Sequence, residues 1–207
     1  MANAHKSVLY GMIAALAAVL GIVVAVTLSQ PRGGAELKAG TLLPQPRALP
    51  AFTLTDQDGK PFTAANLAGQ WTLVFPGFTY CPDVCPTTLA LLKQVKAGLG
   101  PDHPVRVVFL SVDPERDTPQ RLKTYLGQFD PSFIGVTAFE PQLAEITKAL
   151  IIVYGKVPGA TPESYQMDHS ATMTLLNPQG QVAGYLTPPF VVPTLVEDLK
   201  TLSGAGS

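Results

Sequence analysis

Cysteine is nearly missing from this chain. There are two, Cys81 and Cys85, among 207 residues, so any sulfur chemistry is confined to one pair. Histidine occurs only three times, which leaves few sources for an imidazole ligand. Charge is scarce as well: charged residues make up 14% of the chain and the formal net charge is −1. That balance gives no reason to propose a nucleic-acid partner, which would call for a cationic surface. There is no internal repeat and no low-complexity array, which sets repeat architectures aside.

Charge is most conspicuously absent near the start. From Val8 to Leu28 no residue is charged, a run of 21 positions. At ~1.5 Å per residue a helix of that length crosses a ~30 Å hydrocarbon core. A cleaved signal peptide is the competing reading. Its apolar region is typically only ~7–15 residues long, and no convincing small-x-small cleavage site precedes Gln30-Pro31. The expectation is therefore an uncleaved membrane anchor over residues 1–29. Lys6 before the run and Arg32 and Lys38 after it barely discriminate orientation. A short N-terminal flank followed by a long domain fits export. The chain is thus expected to cross the cytoplasmic membrane once, its domain facing the periplasm or another extracytoplasmic side. Residues 30–50, rich in Gly, Pro and Ala, read as a flexible linker. A single domain is expected over 51–203, and 204–207 read as a frayed tail.

Within the domain, Phe52–Thr55 and Pro61–Thr63 flank the turn signal Asp56-Gln-Asp-Gly59 and read as a hairpin. Trp71–Phe75 reads as a buried strand, Gly77 to Pro82 as a loop, and Pro86–Leu99 as a helix with Pro86 in its first turn. Val105–Val112 reads as a second strand. Thr118 as N-cap and Pro119 at the first helical position start a helix running to Phe129. A short strand over Phe133–Val136, a helix over Glu140–Leu150, a hairpin of Met173–Leu176 with Gln181–Leu186, and a closing helix over Thr194–Leu202 complete the pattern. Strands alternating with helices, then a hairpin and a helix, predict an α/β thioredoxin-like fold. Its central mixed sheet would be flanked by helices on both faces, beyond an N-terminal transmembrane helix.

Three places could carry chemistry. The first is the run Thr79-Tyr-Cys81-Pro-Asp-Val-Cys85-Pro86, where a strand turns into a helix. Unpaired N–H groups at a helix start favour thiolate over thiol. The i,i+4 spacing lets both sulfurs face one point. Such a pair can cycle between dithiol and disulfide or hold a soft metal ion. A purely structural disulfide is poorly motivated, because so short a loop adds little closure stabilisation. The second is His169, in Met167-Asp168-His169-Ser170, just before a strand. Two thiolates and an imidazole suit copper or zinc and poorly suit magnesium or calcium. The third is Asp113, after the second strand, at the sheet end where α/β sites usually lie. Turn formation by Asp113-Pro114 is its simpler explanation. Tyr80 could pack over the cysteine loop or donate to a sulfur.

Three of these segments together resemble one family. Thr79-Tyr-Cys81-Pro-Asp-Val-Cys85-Pro-Thr-Thr-Leu89, Ser111-Val-Asp113-Pro-Glu-Arg-Asp-Thr-Pro119 and Asp168-His169-Ser170, in that order, look like the Sco (SenC/PrrC-like) family. The resemblance spans roughly Pro50 to Leu202, plus the anchor. It implies a membrane-anchored, copper-binding thioredoxin-fold protein that helps assemble cytochrome c oxidase. Cys81, Cys85 and His169 would be the metal ligands for Cu(I) and Cu(II), and Asp113 an accessory carboxylate beside the site. The recipient it implies is the binuclear copper centre of cytochrome c oxidase subunit II. A thiol reductant of thioredoxin type and another copper chaperone are further expected partners. Two positions depart from the family pattern: Tyr80 stands where a His commonly precedes the first Cys, and Pro76 interrupts a run that is usually aromatic-Gly.

The rival expectation is an enzyme, a thiol–disulfide oxidoreductase or redox sensor using Cys81 and Cys85 as its redox pair. Against it stand the Cys-x-x-x-Cys spacing and the want of a proline opposite the dithiol, where Thr172 aligns. A peroxide-reducing thiol enzyme would need an Arg near Thr79, and none is near in sequence.

Overall fold

The computed structural model describes residues 12, 15–22, 37–161 and 164–204. It divides into two units, Met1–Gly34 and Ala35–Ser207. In the first, residues 15–22 are helical and exposed. Among the described residues no helix is long and apolar enough to cross a membrane. The expected span Val8–Leu28 lies mostly outside them.

In the second unit the chain forms β1 (Gly40–Arg47), the hairpin β2 (Leu54–Asp56) and β3 (Pro61–Phe62), then β4 (Trp71–Gly77), α1 (Val84–Leu99), β5 (Val105–Ser111) and α2 (Pro119–Gly127). There follow β6 (Ile134–Thr137), α3 (Gln142–Leu150), β7 (Tyr154–Val157), β8 (Gln166–His169), β9 (Met173–Leu176), β10 (Val182–Leu186) and α4 (Val192–Gly204). Eight strands make one mixed sheet in the order β1-β10-β9-β4-β5-β6-β2-β3, while β7 and β8 pair apart from it. The centre is parallel, β4 with β5 and β5 with β6, and β9 lies antiparallel to β4.

Alternation along the central strands divides the core in two. Leu73, Phe75, Val107, Phe109, Met173 and Leu175 face one side, against α1, α2 and α4. Val74, Val108, Leu110 and Leu176 face the other, against α3. Strands buried on both faces read as apolar runs, which is why β4 and β5 stand out in sequence. In α1 the buried positions Cys85, Leu89, Leu92, Val95 and Leu99 recur at helical spacing, so Cys85 begins the stripe that seats the helix on the sheet. Thr118 caps α2 as expected, accepting from the Arg121 N–H at 3.3 Å, with Pro119 at the first position.

Two segments differ from expectation. Gly40–Arg47, placed in the linker, is strand β1, antiparallel to β10. Just before it the buried Asp198 carboxylate accepts the N–H groups of Lys38 and Ala39, at 3.0 and 2.8 Å. The ordered unit therefore reaches well back of residue 51. The hairpin β7–β8 was not expected at all. Its residues are mostly exposed, so it carries no apolar period to read.

Candidate metal centre

The site forms where three strand ends meet. The parallel strands β4 and β5 deliver the cysteine loop and the Asp113 turn to the same edge of the sheet, and the antiparallel β9 begins there. β8 ends at His169, three residues before β9, with Tyr154 opposite it. The topology thus joins segments more than eighty residues apart. Cys85 Sγ lies 3.7 Å from His169 Nε2. The Cys85 N–H, at the start of α1, points at Cys81 Sγ at 3.4 Å. His169 Nδ1 lies 2.9 Å from the Ser170 carbonyl. A carbonyl oxygen only accepts, so Nδ1 carries the proton. In the neutral ring Nε2 then presents its lone pair to Cys85, a tautomer fixed by the backbone. Phe78 packs edge-on to the imidazole, centroids 6.0 Å apart.

Both cysteines are free thiols, Cys81 half-buried and Cys85 buried. The expectation of two helix-start thiolates fails at Cys85: burial pushes its thiol up from the ordinary value. It is Cys81 Sγ that takes the helix-start N–H. Close packing explains the burial. A Cβ at Gly77 would stand 2.5 Å from the Phe109 ring and 3.1 Å from Cys85 Sγ, so glycine is needed where the loop leaves β4. This site suits a metal ion, whose charge favours thiolate where water no longer can. An ion about 2.3 Å from sulfur and about 2.0 Å from nitrogen holds those donors roughly 3.7 Å apart at a trigonal angle. Cys85 and His169 already stand so. Among the described residues no three acidic, His or Cys side chains are closed around one point. Cys81, the more exposed thiol, is the donor left to be drawn in.

Asp113 lies beside this centre without touching its donors. Its buried carboxylate accepts from Arg116 Nε at 2.5 Å and from the Tyr165 hydroxyl at 2.6 Å. Arg116 also donates to the Tyr165 carbonyl at 2.9 Å and stacks on the Tyr165 ring at 3.6 Å. With both oxygens engaged, Asp113 ties the turn after β5 to Tyr165, the residue that leads into the strand bearing His169. Sequence reasoning missed the part played by Asp117. It is fully buried and accepts from the Thr79 N–H at 2.9 Å and from the Thr79 and Ser111 hydroxyls, both at 2.6 Å. Thr79 in turn accepts from Arg121 Nε at 2.6 Å. These bonds pin the cysteine loop two residues before Cys81. Two arginines far from the loop in sequence are thus brought against it. Arg116 and Arg121 lie over the Tyr80 ring, 4.6 and 3.9 Å from its centroid, so this ring meets two guanidinium groups.

A mixed α/β sheet with two thiols and an imidazole converging at one strand edge defines a class: a thioredoxin-like domain built for soft-metal or thiol chemistry. The comparisons narrow it. The SCO1/SenC family model matches residues 41–204, and the chain belongs to that family. A putative copper-binding protein of Stutzerimonas stutzeri is 40% identical over 151 residues, covering 72% of this chain and 73% of that one. The mitochondrial SCO2 homologue of Mus musculus is 39% identical over 137 residues, 65% of this chain. The match takes in 54% of that protein, so the chain spans about half the length of this relative. The structure of Bradyrhizobium japonicum ScoI with copper bound aligns with a TM-score of 0.68 and 38% identity, over 75% of this chain and 99% of that one.

Proposed function

We propose that this protein is a membrane-anchored copper chaperone. In this reading it passes copper to, or prepares the thiols of, the binuclear copper centre of cytochrome c oxidase subunit II, with its domain on the extracytoplasmic side. The observation that carries it is the contact of Cys85 Sγ with His169 Nε2 at 3.7 Å, with Cys81 one helical turn away. The copper named for the Stutzerimonas relative and for the Bradyrhizobium structure supports the cargo. Copper here is cargo, and the chain's residues explain why it can be both held and released. Two thiolates suit Cu(I), and the imidazole adds the nitrogen donor that Cu(II) prefers. Both sulfurs must be reduced and deprotonated to bind, so loading waits on a thiol reductant and loses two protons. The half-exposed Cys81 gives an incoming partner thiol a point of attack.

A second reading, thiol–disulfide exchange on oxidase cysteines, draws on the unequal exposure of the thiols: one accessible to attack, one buried to resolve. It leaves the fixed tautomer of His169 without a use. To separate the two, mix the reduced, Cu(I)-loaded chain with the metal-free soluble domain of oxidase subunit II, its cysteines either reduced or joined. Copper should move to the reduced recipient. Reduction of the joined recipient by the metal-free chain, with no copper transferred in any arm, would contradict the chaperone reading.

A further inference from the structure

Large apolar side chains stand out from the surface on either side of Cys81. Tyr80, just before it, is 44% exposed, and Val84, the first residue of α1, is 53% exposed. Three cations border this edge. Arg116 and Arg121 lie over Tyr80, and Lys156 lies 4.1 Å from the Tyr165 centroid. Two of the three are paired: Arg116 with Asp113 at 2.5 Å and Lys156 with Glu115 at 2.7 Å. Arg121 has no ion pair among the described residues. Its side chain is fixed all the same. Nε donates to the Thr79 hydroxyl at 2.6 Å, and the guanidinium sits 3.9 Å from the Tyr80 centroid. Asp117, one hydrogen bond further on behind Thr79, is buried with three donors already on it. The Nη1 and Nη2 groups of the exposed Arg121 are thus left open.

We infer that Arg121, laid on Tyr80, is the docking cation for the protein that exchanges copper at Cys81, and that it takes a carboxylate on that partner's surface. This rests on the copper reading above. Copper passes between proteins by exchange of ligands. A partner thiol gives up its proton and bonds Cu(I), the bond from Cys81 breaks, and the freed thiolate takes up a proton; no electron moves. The partner's sulfur has to come within bonding distance of the ion, so its surface has to lie on Tyr80 and Val84. A carboxylate there meets an arginine fork already held by the Thr79 bond and the ring, which lowers the entropy lost on binding. Tyr and Arg are also the side chains in which binding energy concentrates at protein interfaces. Asp83, exposed at the head of α1 and bonded to the Thr87 hydroxyl at 3.3 Å, is the acidic side chain of the loop itself. A partner acid is therefore favoured over Arg121 and disfavoured over Asp83, which sets the orientation of docking as well as its rate.

The test follows the rate of Cu(I) transfer from the full chain, loaded and anaerobic, to the reduced, metal-free soluble domain of oxidase subunit II, at low and at high salt. Arg121→Gln, Arg121→Glu and Arg121→Lys run beside the unaltered protein. The rate of the unaltered protein should fall as salt screens the pair. Arg121→Gln should be about two- to fivefold slower at low salt and less sensitive to salt. Arg121→Glu should be slower still, and salt should speed it. Arg121→Lys keeps the charge but not the Nε bond to Thr79, so it should retain most of the rate and of the salt dependence. A merely structural role for Arg121 would not reverse the salt dependence with the sign of its charge. An unaltered protein insensitive to salt, an Arg121→Gln chain that matches it, or an Arg121→Lys chain as slow as Arg121→Gln would each overturn this inference alone. An unaltered protein that loads copper and passes none to the recipient would overturn the function reading, and this inference with it.

Discussion

Asp117 shows at the scale of one residue how the cysteine loop is held, and at what cost. Its carboxylate is buried with three donors on it, and burial, outweighing those hydrogen bonds, raises its pKa from the ordinary value. The folded protein then binds a proton there more readily than the unfolded chain. Such a group lends stability that is present in full below its unfolded pKa, about 3.9, and lost as pH rises through the folded value. Asparagine does not titrate. The margin in melting temperature between the unaltered protein and Asp117→Asn should therefore shift toward the unaltered protein as pH falls from 7 toward 4. A flat or opposite trend would contradict the role of burial here. The candidate donors Cys81, Cys85 and His169 could be picked out in sequence because few side-chain types offer soft or borderline donors. Asp117 could not, because an Asp before Thr-Pro serves the next helix equally well on paper. Its real partners, Thr79 and Ser111, are fixed only when β4 and β5 lie side by side.

Elements with a buried face announced themselves, and those without one did not. β4, β5, β9 and α1 carry apolar periods and were placed within a few residues. β4 runs on through Pro76 and Gly77, which end it in the site. β1 is rich in proline and mostly exposed, so composition made it a linker. Only its pairing with β10 and the anchoring of Lys38 and Ala39 by Asp198 make it a strand. A chain beginning at Ala51 should thus be markedly less stable than one beginning at Glu36. It loses the burial of Leu37, worth about 1.5–3 kcal/mol, and leaves the Asp198 carboxylate buried without its donors. Chemical denaturation of the two chains checks this, and equal midpoints would show that β1 contributes nothing. The β7–β8 hairpin escaped notice for the same reason as β1, yet it carries His169 to Cys85. The chemistry-bearing residue was legible while the element that delivers it was not.

At the scale of the whole molecule, the fold sets Cys85 beside an imidazole more than eighty residues away, with Cys81 next to the start of the same helix, and the copper reading stands or falls on these three. The most direct measurement is a titration of the full chain, reduced and anaerobic, with Cu(I) and with Cu(II), alongside Cys81→Ser and His169→Ala. One copper per chain is expected, with a sulfur-to-Cu(II) band. Loss of His169 should remove that band or weaken Cu(II) binding, while leaving most Cu(I) binding to the two thiolates. Loss of Cys81 should abolish tight binding of both. Because bound sulfur must be deprotonated and burial raises the Cys85 thiol, Cu(I) affinity should climb with pH. The climb is about tenfold per pH unit for each thiol proton displaced. A Cys81→Ser chain that still takes up one copper tightly, or an affinity that does not change with pH, would contradict the assignment of Cys81, Cys85 and His169 as the site.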